Sequence, residues 1–125
     1  MEFWLLIVAA LLSLFGTFFH GVIGGKIYIS NINNSNLDTL GKSLSLVSWH
    51  MFTIFLFIGA AAFTLVAFNQ VSEIVSYPLI IINAMGALMF LLLAFGSHKH
   101  LKKMPGAYLM GATALCGYLG VALTP

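Results

Sequence analysis

The sequence predicts an all-α integral membrane protein, a single domain over residues 1–125 built as a bundle of four antiparallel transmembrane helices. Three observations carry that prediction. Of 125 residues, 61% are hydrophobic and only 6% charged, against about 25% charged residues in a globular protein that must keep its surface wet. Four apolar runs, at residues 3–25, 44–68, 77–97 and 106–123, are each long enough to cross a ~30 Å hydrocarbon layer at about 1.5 Å per residue. Unpaired backbone amides are too costly in lipid, so runs of this kind must be helices. At about 20 residues per span the chain has no room for a fifth.

The first run, 3–25, has no positive residue before it, and Phe18, Phe19 and His20 stand where a signal peptide would carry small residues at its cleavage site. It is expected to be a retained helix. Tyr28 to Asn36 is rich in asparagine, whose side-chain amide competes for backbone hydrogen bonds, so the longest loop is expected there. The segment Asn69 to Glu73 reads as a short turn, with Pro78 opening helix three, where a missing amide hydrogen costs least. His98 to Pro105 reads as the third loop before the last run, 106–123.

Orientation follows from the lysines. Lys26 and Lys42 fall in the first loop and Lys99, Lys102 and Lys103 in the third, while the second loop and both termini carry none. The positive-inside rule then puts loops one and three in the cytoplasm and the termini outside, in what is expected to be a bacterial inner membrane. The lipid bilayer is the first partner, and no nucleic-acid partner is expected.

The histidines are the most informative candidates. His20 lies near the end of helix one, His50 near the start of helix two, and His98 and His100 at the exit of helix three. Threading an alternating bundle places all four at the cytoplasmic boundary. Neutral imidazole is the commonest protein ligand for transition metals and binds haem iron, and ionisable groups within spans usually face the bundle interior. A site for a transition metal or haem b at His20 and His50, with His98 or His100 as a further ligand, is the expectation. The competing reading is that these side chains only reach interfacial water or bond to neighbouring helices.

Small and polar residues form stripes. Ser13, Gly16, Thr17, His20 and Gly24 share a face of helix one, and His50, Thr53, Phe57, Ala60, Ala61 and Thr64 a face of helix two. In lipid such faces allow close backbone approach and hydrogen bonds across helices, so the two are expected to meet. Asn83, Ala87, Phe90, Ala94 and His98 share a face of helix three, and the Asn83 amide is expected to bond to another helix. Ala107, Gly111, Ala114, Gly117 and Gly120 give helix four a close-packing face whose partner lies inside the bundle or on another subunit.

Absences narrow the classes. A lone cysteine, Cys116, excludes paired-thiol redox chemistry within the chain. No acid lies within the four runs, which argues against proton-coupled exporters and rotary proteolipids, since both need a carboxylate in the membrane. Phosphate-binding glycine loops and Ser/His/Asp arrangements are missing, and whether the protein is an enzyme stays open. Asp38 is the only acid on the histidine side; with a metal bound there it would be a ligand or orient an imidazole, whereas its usual role would be to cap a turn.

Phe19-His20-Gly21-Val22-Ile23-Gly24-Gly25-Lys26-Ile27-Tyr28, followed by Ser48-Trp49-His50, resembles a group of small uncharacterised bacterial four-helix membrane proteins. These pair a histidine ending helix one with a Trp-His opening helix two. The resemblance rests on His20, Gly24, Trp49 and His50 and implies that His20 and His50 work as a linked pair; Gly25 stands where that group has a glutamate. Two functions therefore compete: a metal- or haem-binding redox or ligand-binding module, and a non-enzymatic accessory or scaffold subunit associating through helix four. An oligomeric channel or transporter is the third.

Overall fold

In the computed structural model, which describes residues 1–123, the apolar runs form four helices: α1 (Glu2–Asn33), α2 (Thr39–Ala67), α3 (Ser76–Phe95) and α4 (Gly106–Ala122). No strand occurs among the described residues. Short 3₁₀ turns at Glu73–Val75 and Lys99–Lys103 lead into α3 and α4. By length and composition α1, α2 and the segment Glu73–Phe95 are able to cross a membrane. The apolar α4 is shorter, 17 residues, or about 25 Å at 1.5 Å per residue.

Helix α1 differs most from the sequence pattern, which ends it at residue 25. It runs on to Asn33, so Tyr28 and the first asparagines are helical and the connection shrinks to Asn34–Asp38. Asparagine costs a helix only about 0.7 kcal/mol per residue, and two tertiary contacts oppose that preference. The Tyr28 ring stacks on Trp49 of α2, and Lys42 Nζ donates to the Asn33 carbonyl at 2.9 Å. Helix α2 in turn starts at Thr39, because Asp38 Oδ1 accepts the Gly41 N–H at 2.6 Å as its N-cap. At its other end Asn69 takes a left-handed φ of 54°. Its N–H bonds to the Val66 carbonyl and that of Gln70 to Leu65, closing a Schellman motif.

Packing is uneven. Helix α1 lies against α2 and α4, and α4 against α3, while α2 and α3 touch only sparsely. The tight core gathers Leu6, Ala9 and Ala10 from the start of α1, Phe63, Val66 and Ala67 from the end of α2, Leu79 and Ile80 from the start of α3, and Ala114 and Val121 from α4. This is the end of the bundle where the chain begins. At the other end, which carries the lysines, a cavity lies between the packed pair α1–α2 and the packed pair α3–α4. Large apolar side chains such as Leu11, Phe18, Ile54, Phe57, Leu92 and Phe95 cover the outside.

The small-residue face of α4 is used within the chain. Ala107, Ala114, Gly117 and Gly120 are buried, a Cβ on Gly117 would lie 2.8 Å from Phe63 Cε1 and 3.1 Å from Ile80 Cγ1, and one on Gly120 2.8 Å from Leu6 Cγ. Gly111 faces Ala87 more loosely, at 3.8 Å. Most polar side chains of the helices satisfy themselves on their own helix. Thr17, Thr64 and Thr113 bond to carbonyls four residues back. The Asn83 amide, expected to reach another helix, donates instead to Leu79 O at 2.9 Å.

Candidate functional site

The site grows from a run of glycines in α1. From Phe19 to Gly24 the helix widens into a π-turn, a feature that tends to mark functional positions. Gly21, Gly24 and Gly25 there form a trough for α2: a Cβ on Gly21 would fall 2.8 Å from Thr53 Cγ2, one on Gly24 3.1 Å from Trp49 Cζ2, and one on Gly25 3.6 Å from Trp49 Nε1. The π-turn also sets a register. In a regular helix Tyr28 would sit about 80° round from His20, eight residues before it, and one inserted residue reduces that to about 20°. Both rings therefore meet Trp49.

The result is a ladder of rings. Tyr28 stacks on Trp49 at a centroid distance of 4.1 Å and 12° between planes, and His20 stacks on the same indole at 3.8 Å and 16°. Phe52 closes on His20 edge-on at 5.0 Å. Aromatic pairs of this kind contribute about 0.5–1.5 kcal/mol each beyond area burial, so the imidazole is held in one plane.

A hydrogen bond holds its rotation about that plane. His20 Nδ1 lies 2.9 Å from Thr53 Oγ1, and the Thr53 hydroxyl lies 3.3 Å from the Trp49 carbonyl. Two arrangements satisfy these contacts: Nδ1–H donates to Thr53 Oγ1 while the hydroxyl donates to the Trp49 carbonyl, or the hydroxyl donates to a bare Nδ1. The first of these leaves the lone pair on Nε2, the state in which imidazole binds a metal. Nε2 has no protein partner, and it is not among the sealed, unpartnered polar atoms, which are Ser13 Oγ, Trp49 Nε1, Ser76 Oγ and Asn83 Oδ1.

His20 lines a cavity of about 370 Å³ between the four helices, together with Trp49, Phe52, Met89, Phe90 and Met110 among others, roofed by Leu101, Met104 and Pro105. Its volume is in the range of small-molecule sites, about 300–1,000 Å³. Apart from His20 and the indole of Trp49, every side chain on its wall is apolar. Phe52, Met89, Phe90 and Met110 also line a cleft between α2 and α3, so the two spaces share a wall.

The other histidines do not line this cavity. His50 follows Trp49 and so points about 100° away from it on α2; it is exposed. His98 and His100 are exposed in the third loop, their rings 6.0 Å apart. Among the described residues no three His, Cys, Asp or Glu side chains converge on a common point for a metal ion. The face of α2 that meets α1 is Trp49, Thr53, Leu56 and Gly59, whereas Phe57, Ala61 and Thr64 of the expected stripe are exposed. The pattern went astray because bulky apolar groups pack inside a membrane-type bundle as readily as outside, so polarity marks the interior poorly. Tyr28 and the cavity methionines carry no signal of spacing; Trp49 was visible only through the resemblance.

Compared with known protein families, with characterised proteins and with solved structures, the chain matches none. The fold and site together define the class: a small helical bundle with candidate membrane spans, carrying one oriented imidazole in an apolar cavity.

Proposed function

We propose that the protein is a small integral membrane ligand-binding module, in which His20 Nε2 anchors a transition metal or haem iron inside the cavity. The helices lie antiparallel in the bilayer with the lysine-bearing loops in the cytoplasm, so the site sits near the inner membrane boundary. The observation that carries this reading is the chain from Trp49 carbonyl to Thr53 hydroxyl to His20 Nδ1. In the tautomer with the proton on Nδ1, this chain of contacts leaves Nε2 without a protein partner and able to take a metal. Outer partners of this kind orient metal-binding histidines, and their loss typically weakens metal affinity about 10–100-fold.

The reading assigns binding to His20 with its support from Thr53 and Trp49, and gives His50, His98 and His100 no part in the cavity. The test is elemental analysis and absorption spectroscopy of tag-free protein from metal-replete, haem-supplemented cells. Wild type should carry a stoichiometric metal or a Soret band; His20→Ala should lose it, Thr53→Val should hold it more weakly, and His50→Ala should keep it. Wild-type protein that carries neither, and acquires neither on titration, would leave the accessory-subunit reading in place.

A further inference from the structure

We propose that the cavity takes a soft monovalent metal ion, Cu(I), held by His20 Nε2 and by the thioether sulfurs of Met89, Met104 and Met110. This rests on His20 being the anchoring nitrogen. Six methionines occur in the chain, and these three line one cavity from three different elements: α3, the loop before α4, and α4 itself. Met110 is buried at 6% exposure, and its side chain lies over Gly86, where a Cβ would overlap its terminal methyl and come within 2.9 Å of Sδ. Gly86 itself lines the neighbouring cleft between α2 and α3, so Met110 stands on the wall that the cleft and the His20 cavity share, while Met89 and Met104 are 54% and 47% exposed.

The chemistry of the donors selects the ion. Thioether sulfur is a soft, uncharged ligand that favours Cu(I), whereas carboxylates and carbonyls suit hard divalent ions, and Zn²⁺ sites draw mainly on thiolate, imidazole and carboxylate. No acid and no thiol lines this cavity. An uncompensated charge in an apolar wall is costly, and that cost grows with the square of the charge. A cavity of neutral donors therefore suits a charge of one far better than a charge of two. Methionine side chains, with three rotatable bonds, can also close around an ion without moving the backbone.

The test is anaerobic titration of tag-free, detergent-solubilised protein with Cu(I) supplied as a coloured chelator complex. Wild type should withdraw one Cu(I) per chain, and X-ray absorption should show both sulfur and nitrogen neighbours. His20→Ala and the double variant Met89→Leu/Met104→Leu should each weaken binding about 10-fold or more, while Met51→Leu and His50→Ala should not. Met-to-Leu changes conserve volume, and unchanged melting temperatures would show that the fold survives them. Withdrawal that is indifferent to the double methionine change overturns the proposal. Haem or Zn²⁺ binding that depends on His20, with no Cu(I) withdrawn, overturns copper and leaves the His20 reading standing; no ligand of any kind sensitive to His20 overturns both.

Discussion

Gly21→Ala is the sharpest test of the trough that seats α2. The added Cβ would fall 2.8 Å from Thr53 Cγ2, well inside the ~3.5–4.0 Å optimum between carbon atoms. Either the helices separate or Thr53 rotates. Overpacking of this kind costs about 1–3 kcal/mol. Rotation of Thr53 also breaks its bond to His20, worth on average about 0.6 and at most about 1.7 kcal/mol across membrane helices. Against this stands a gain of about 0.5–1 kcal/mol for replacing glycine by alanine within a helix. The expected net loss is roughly 1–4 kcal/mol. Gly16→Ala is the matched control: one turn earlier, its Cβ would meet Leu56 Cδ2 and Cδ1 at 3.6 and 3.7 Å, ordinary contact, so it should be neutral or slightly stabilising. Thermal unfolding of both variants in the same micelles, followed by circular dichroism, measures the difference. Equal stability of the two would refute the claim that Thr53 and Trp49 pack directly into the glycine trough.

Gly117→Ala places a Cβ 2.8 Å from Phe63 Cε1 and should destabilise the folded chain by about 1–3 kcal/mol; sedimentation in detergent should show no change of oligomeric state, since this face is occupied within the chain. Tyr28→Leu removes one ring of the ladder and should cost about 0.5–1.5 kcal/mol in melting experiments, with a change in Trp49 emission read in a Trp4→Phe background. For sidedness, single cysteines at Ser35 and Ser72 in a Cys116→Ala background should differ in intact cells. The first should be shielded from impermeant thiol reagents and the second labelled, as the lysine distribution requires.

Much of the helical architecture was legible because long apolar runs permit few solutions. A chain with 6% charged residues and four apolar runs has little choice but helices, and the boundaries of α3 and α4 were set by strong local signals such as the Asn69–Glu73 turn and Pro105. The asparagine segment misled because Asn33 and Tyr28 are held helical by Lys42 and Trp49, partners that lie in another helix. His20 stood out as a polar group in an apolar run. Its neighbour in space was harder to name: the choice between Trp49 and His50 turns on about 100° of helix rotation, and in lipid a polar stripe does not fix that angle. The π-turn that brings Tyr28 onto the same indole has no residue pattern of its own beyond the glycines. Met89, Met104 and Met110 read as ordinary apolar positions in the sequence, and only the folded arrangement brings them to one cavity.

Nitrogen-15 NMR of histidine-labelled protein, recorded before and after loading with Cu(I) or haem, tests most directly whether His20 is the binding group. With His20 assigned by comparison with His20→Ala, its resonances should show a protonated Nδ1 and a bare Nε2 in the empty protein, and on loading Nε2 of His20 should be the histidine nitrogen that shifts most, with His50, His98 and His100 unchanged. A proton on Nε2 of His20 in the empty protein, or a ligand-induced shift centred on His50, would contradict the account.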